Sequence, residues 1–272
     1  MVIKFLLIGD IVAKMGRDTV DEVLPKLKRQ YQIDYIIANG ENLAHGDGVN
    51  VATISEMYES GVDFLTTGDH IFKNASDLNN VFFGKYNIIR PANYPDGVIG
   101  DGYKIVRIKN YKILIINLLG RVFMKNNPDC PFRKFDQIYN ENKRKKIDCI
   151  IVDIHAEATS EKKTFFEYVK DRANIVFGTH THIGTADLDI NNGHFYITDI
   201  GMVGAKNSSL GVDFKNIIKE YENYKIEEQD KQLFIDRLNS DGEFCKFIIQ
   251  KNWSVLQYVK EENQTKEICK LA

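Results

Sequence analysis

Proline is scarce, at five residues in 272, so loop stiffness is not encoded by proline rings. Cysteine is scarcer still: Cys130, Cys149, Cys245 and Cys269 are the four, and none forms a Cys-x-x-Cys pair. That spacing gives neither a thiolate metal site nor a disulfide framework, and ordinary thiols are expected. Net charge is nearly absent, at -2. A chain without a basic footprint is not expected to grip duplex nucleic acid, although nucleotide-sized substrates stay open to it. No apolar run is long enough to cross a bilayer. The opening MVIKFLLIGD carries one Lys, and no small-residue cleavage site follows it. The expectation is a core strand in a cytoplasmic protein that does not use a membrane. Repeats, low-complexity tracts and Pro/Ser linkers are also missing, so one domain over residues 1–272 is expected.

What is present fits a globular enzyme. Hydrophobic residues make up 43% and charged residues 27%, and the chain can bury a core without staples. Residues 2–9 form a branched apolar run ending in Gly-Asp, the pattern of a buried strand. Val20, Val23, Leu24 and Leu27 then recur at helical spacing. Strand, helix and strand follow at 35–39, 52–60 and 62–66, which predicts an α/β architecture. Residues 103–108 and 112–118 flank Lys109-Asn110-Tyr111 as a hairpin. Strands at 149–154 and 175–177 surround a helix near 162–172. A second hairpin joins 187–190 to 194–198 through Asn191-Asn192-Gly193. Hairpins beside βα units predict a mixed sheet or two packed sheets. From about residue 212 a helix and then strands extend the same domain.

The polar residues gather at the ends of these strands. Asp10 ends the first, Glu41 and Asn42 follow the second, and Asp69 and His70 follow the third. His155 ends a later strand, and His180-Thr181-His182 ends the next. In α/β sheets, ligands bind outside the carboxyl ends of the strands. One Gly-Asp is only a turn, and one His is ordinarily a core or surface residue. Five successive strand ends supplying Asp, Glu, Asp, His and His-x-His point to a metal site. Carboxylates and imidazoles suit iron, manganese or zinc. Two ions can share an acidic bridge, activate water and clamp a phosphoryl oxygen. In an extended segment, His180 and His182 share a side and reach neighbouring ions. Arg17, just after Gly16, is a candidate to bind substrate phosphate through its planar fork. Asn93 suits either a substrate contact or a structural turn. His45 and His194 are expected at the solvated surface.

The motifs GD, GEN, GDH, an isolated His and GTHTH resemble those of the calcineurin-like metallophosphoesterases. GDIVAKMGR, ANGENLAHG, RPANYP, NLLGRVFM, DIHAEATSEK, GTHTHIGTAD and YITDIGMVGA are similar to the YmdB-type bacterial subfamily. The resemblance covers residues 1–213, and the rest more loosely. It implies a four-layer α/β metallophosphatase fold, with two mixed β-sheets packed face to face and flanked by helices. It also implies a phosphodiesterase acting on cyclic nucleotides, the 2′,3′-cyclic ones favoured, through a hydroxide bridging two metal ions. A phosphomonoesterase of the same fold and a slow-turnover regulatory nucleotide-binding protein are the alternatives. Carried over by position, one ion takes Asp10, Glu41, Asn42 and His182. The other takes Glu41 as bridge, with Asp69, His155 and His180. His70 is implied as general acid and iron as the metal, with manganese next. A homo-oligomer stays open. One departure concerns Gly68-Asp69-His70, where the family has Gly-Asn-His: a carboxylate replaces a neutral amide and changes the charge of the site.

Overall fold

The protein is described by a computed structural model over residues 2–73, 77–191, 193–223, 254–259 and 264–270. It divides into two compact units, Met1–Phe214 and Lys215–Ala272. Among the described residues no helix is long and apolar enough to cross a membrane.

The first unit opens as the βα alternation predicts: β1 (Phe5–Ile11), α1 (Ala13–Tyr31), β2 (Tyr35–Asn39), α2 (Val51–Glu59) and β3 (Phe64–Thr66). α2 begins at Asn50, whose side chain accepts from Thr53 N while Thr53 reaches back, a closed capping box. A short α3 (Leu78–Phe83) follows. Next come β4 (Tyr103–Ile108), β5 (Tyr111–Leu119), α4 (Pro131–Asn142), β6 (Cys149–His155), α5 (Thr159–Val169) and β7 (Ile175–Thr179). The unit then runs through β8 (Asp189–Asn191), β9 (His194–Ile197) and β10 (Met202–Val203).

These strands form two sheets. The four-stranded one has the order β10-β1-β2-β3 and the six-stranded one β4-β5-β6-β7-β9-β8. Two mixed sheets were expected, but the smaller is parallel at every pairing. Its strands are joined through helices, and such crossovers return the chain in the same direction. The larger sheet is mixed, because the hairpins β4–β5 and β8–β9 add antiparallel strands at its two edges.

Side-chain alternation builds the layers. Ile37 and Phe64 of the small sheet pack with Ile113, Ile115, Ile151 and Phe177 of the large one. Their neighbours Ile36, Ala38 and Leu65 face Val20, Leu24, Ile54 and Met57 of α1 and α2. On the far side, Leu114, Ile116, Val152 and Val176 meet Phe135, Ile138, Phe165 and Phe166 of α4 and α5. The result is helices, sheet, sheet, helices. Each large aliphatic or aromatic side chain buried this way contributes about 1.5–3 kcal/mol. Val23, expected on the inner face of α1, lies at its rim and is exposed.

The second unit carries most of α6 (Phe214–Asn223) and an antiparallel hairpin of β11 (Ser254–Val259) and β12 (Gln264–Lys270). Cys130 and Cys149 are free thiols, whereas the side chains of Cys245 and Cys269 lie outside the described residues.

Candidate metal centre

The carboxyl ends of β1, β2, β3, β6 and β7 converge. Asp10 sits within β1, Glu41 just past β2, and Asp69 three residues past β3. His155 is the last residue of β6, and His180 follows β7 directly. Ligand atoms of Glu41, Asp69, His155 and His180 all lie within 4.8 Å of one another. His155 Nε2 is 3.2 Å from Glu41 Oε2, 3.4 Å from Asp69 Oδ1 and 3.0 Å from His180 Nδ1. The backbone makes room for this: a Cβ at Gly68 would overlap Glu41 Oε2 and His155 Nε2, so only glycine lets the chain pass so close.

A second group adjoins the first. His182 Nε2 is 3.7 Å from Asp10 Oδ1 and 3.2 Å from Asn42 Nδ2. Asn42 Nδ2 also donates to Glu41 Oε1 at 3.1 Å. Glu41 thus turns one oxygen toward each group. His70 stands beside them, with Nδ1 2.9 Å from Asn42 Oδ1 and 3.2 Å from Asp47 Oδ1, and Nε2 3.8 Å from Asp69 Oδ2.

Each imidazole is also held from behind. His155 Nδ1 meets Thr179 Oγ1 at 2.9 Å, and that hydroxyl donates to the buried Asp153. His180 Nε2 meets Glu157 at 3.0 Å, and His182 Nδ1 donates to Leu210 O at 2.9 Å. Such contacts fix which ring nitrogen faces a metal. His180 and His182 were expected on an extended segment. Instead β7 stops at Thr179, and both adopt left-handed backbones, with φ of 97° and 62°. Conformations of this kind are costly and persist only where surrounding contacts impose them. Here the contacts come from a fully buried ion pair, Lys162 Nζ to Asp199 Oδ2 at 2.8 Å. Lys162 also donates to Thr179 O, and Asp199 accepts from Thr181 N and Oγ1. The pair therefore grips the chain on both sides of His180.

The electrostatics call for a cation. Burial pushes the Asp10 carboxyl up to about 8 against the pull of His155, and Glu41 adds to the rise. Burial also acts against charge on Glu41 and Asp69, yet the adjacent His155 holds both carboxyls below the usual range. Burial opposes charge on His155 too, but Glu41, Asp69 and Asp10 raise it well above an ordinary imidazole. Burial and then His155 push His180 down to about 4. One imidazolium thus serves three carboxylates. Oδ1 of Asp10 and Oδ1 of Asp69 are buried with no hydrogen-bond partner. Orphaned oxygens beside imidazole nitrogens, with no thiolate among the described ligands, are a donor set that fits iron, manganese or zinc.

The other candidates stand apart from the cluster. Arg17 pairs with Glu56 at 2.6 Å and donates to Leu43 O, so its guanidinium ties α1 to α2 and to the loop carrying Asn42. Asn93 is fully buried and bonds Leu119 N, Leu119 O and Asp129 O, which makes it a structural latch. His45 is exposed, as expected. His194 is half-buried rather than solvated, because its Nδ1 donates to Ala173 O. Sequence reasoning passed over Glu157, Lys162 and Asp199, and it gave Asp153, at the end of its strand, no role. Lys162 and Asp199 fall inside DIHAEATSEK and YITDIGMVGA, but nothing in those strings says that they pair.

A family model described as YmdB-like protein matches residues 6–250. A Bacillus subtilis (strain 168) protein, 2′,3′-cyclic-nucleotide 2′-phosphodiesterase, is 41% identical over 219 residues, covering 80% of this chain and 82% of that one. A putative phosphatase/phosphodiesterase of Mycoplasma pneumoniae is 36% identical over 208 residues, covering 74% and 73%. A crystal structure of a novel phosphatase from Mycoplasma pneumoniae superposes with a TM-score of 0.75 at 33% identity, covering 83% of each chain.

Proposed function

The chain belongs to the YmdB-like family and is a phosphoesterase, and from that premise we propose that it is a dinuclear metal-dependent phosphodiesterase opening 2′,3′-cyclic nucleotides. The observation that carries the metal reading is the convergence of Glu41, Asp69, His155 and His180 beside two orphaned carboxylate oxygens. Glu41, Asp69, His155 and His180 hold one ion, and Asp10, Glu41, Asn42 and His182 hold the other. Iron is the metal proposed, with manganese and zinc as substitutes. When bound, the ions supply an activated water and Lewis-acid contacts to phosphate oxygens.

The chain's own residues do the rest. Glu41, with one oxygen turned toward each group, would be the residue common to both ions. Asp47 holds His70 Nδ1, which leaves Nε2 to pass a proton to the departing ribose oxygen. Arg17 contributes by steadying the Asn42 loop rather than by touching phosphate. The cytoplasmic setting and the single domain over 1–272 are part of the same proposal.

The test is a panel of metal-loaded protein with 2′,3′-cyclic nucleotides, mononucleotides and an aryl phosphodiester, followed by product identification. The expected result is opening of the cyclic phosphate to a single 3′-nucleotide. Release of inorganic phosphate from mononucleotides, with the cyclic compounds untouched, transfers the site to a phosphomonoesterase. Tight nucleotide binding without turnover makes it a regulatory binding protein.

A further inference from the structure

The segment between β5 and α4 is tied at both ends to candidate metal ligands, and the proposed chemistry makes no use of it. Gly120 N donates to His155 O at 2.9 Å, so the segment leaves the sheet beside one candidate ligand. Asn126 Nδ2 donates to Asp69 O at 3.1 Å, so it returns to another. Between these points the chain is pinned. Both Arg121 N and Val122 N donate to the Glu161 carboxylate at 3.0–3.1 Å. Met124 N closes a turn on Arg121 O, and the Met124 side chain is buried. Asn126 also donates to Tyr94 Oη.

At the tip of this pinned loop stands Phe123. It is 83% exposed, and its backbone is left-handed with φ of 64°. Two costs are accepted there. A bulky residue in the left-handed region is unfavourable by about 1–2 kcal/mol, and an exposed ring forgoes the stabilisation that burial gives. Neighbouring contacts fix the loop so that the ring stays displayed. Phe123 is three residues from both Gly120 and Asn126, so its Cα lies within ~11 Å of each. Gly120 and Asn126 bond the backbone of His155 and Asp69, so the loop that carries Phe123 is anchored at both ends to candidate ligands. Across the site, Ile183 and Leu210 are also exposed, but neither offers a π face.

We propose that Phe123 is the platform on which the base of the nucleotide substrate stacks while its phosphate occupies the metal centre. The inference rests on the phosphodiesterase reading above. Every nucleobase has a π face, so the platform accepts purines and pyrimidines and adds affinity without choosing strongly among them.

The experiment compares the metal-loaded protein with Phe123→Ala and Phe123→Trp. The substrates are adenosine 2′,3′-cyclic phosphate and glycerol 1,2-cyclic phosphate, which has no base. Stacking of one base is worth a ~10–100-fold change in affinity. Phe123→Ala is expected to raise KM for the adenosine compound by that factor, with kcat held and the glycerol compound unaffected. Phe123→Trp is expected to restore or lower KM. Unchanged KM for the adenosine compound overturns the platform, as does an equal loss on both substrates. If neither compound is turned over even by wild type, the phosphodiesterase reading fails. The platform is then judged alone, by calorimetric binding of adenosine 3′-monophosphate to wild type and Phe123→Ala. Equal affinities overturn it, and selective loss in the variant supports it. A change in self-association on sedimentation, with nucleotide affinity intact, assigns Phe123 to a contact between copies and also overturns it.

Discussion

The two sheets bring opposite chemistry to the place where they meet. The four-stranded sheet ends in oxygen, with Asp10, Glu41 and Asp69, and the six-stranded sheet ends in nitrogen, with His155, His180 and His182. The oxygen side is crowded: His155 offsets Glu41 and Asp69, while burial lifts the Asp10 carboxyl to about 8. The nitrogen side is oriented from behind by Thr179, Glu157 and Leu210 O. The difference teaches a division of labour. The acids create the demand for a cation, and the imidazoles are held in fixed orientations to meet it.

The largest effect is expected where the acid half is densest. Glu41→Gln should abolish retention of both ions, a loss beyond the ~100-fold seen when a ligand's supporting contact is removed. His155→Ala should weaken one ion more than the other. Metal analysis after dialysis checks both, and equal depletion in the two variants breaks the contrast between the halves. Next is His70→Ala, which removes a proton donor and no ligand. Turnover should fall by about 100-fold with metal content unchanged, and the loss should shrink for a nitrophenyl ester. Identical losses for good and poor leaving groups remove His70 from proton transfer.

Within the imidazole half, buried and exposed supports should differ. Thr179→Val unties His155 from Asp153 and should cost ~10–100-fold in metal affinity by calorimetry. Glu157 is 49% exposed on its side chain, so Glu157→Gln should fall near the lower end, about 10-fold. The reverse order means that tautomer control does not come from the buried network. The smallest effect is expected at Asp69→Asn, where a dipole replaces a charge but a ligand oxygen stays. Metal retention should weaken by a few-fold, and affinity for an anionic phosphodiester should rise as the centre becomes more positive. Unchanged values for both, by competition with a chelator and by KM, mean that the Asp69 charge is neutralised by its neighbours.

The acid half was more legible in the sequence than its supports. β2 was read over residues 35–39 and is found there, because an apolar run ending in Asn-Gly has few other readings. The strand-end acids and imidazoles were legible for the same reason. α4 was missed: its Cys130-Pro131 start looks like a loop, although Pro fits the first turn of a helix. β10 was missed because two residues carry no period. Nothing in the sequence singles out Lys162 or Asp199. Only the fold places them, fully buried, against each other, and their separation of 37 positions hides the pairing. The turn at His180 and His182 was read as extended because periodicity reports spacing and not φ.

The parallel pairing of β1 with β10 has a consequence for how the protein is made. Asp10 lies directly beside Met202 in that ladder. A chain emerging from a ribosome therefore exposes Asp10, its first candidate ligand, long before the strand that encloses it exists. At ~5–20 residues per second, the roughly 190 residues between them take about 10–40 s to synthesise. During that interval β1 and β2 can pair through α1, but one edge of β1 stays open, and the imidazoles of β6 and β7 appear only late in it. Metal loading is thus a late event in biogenesis, and the early intermediate is an apolar strand edge.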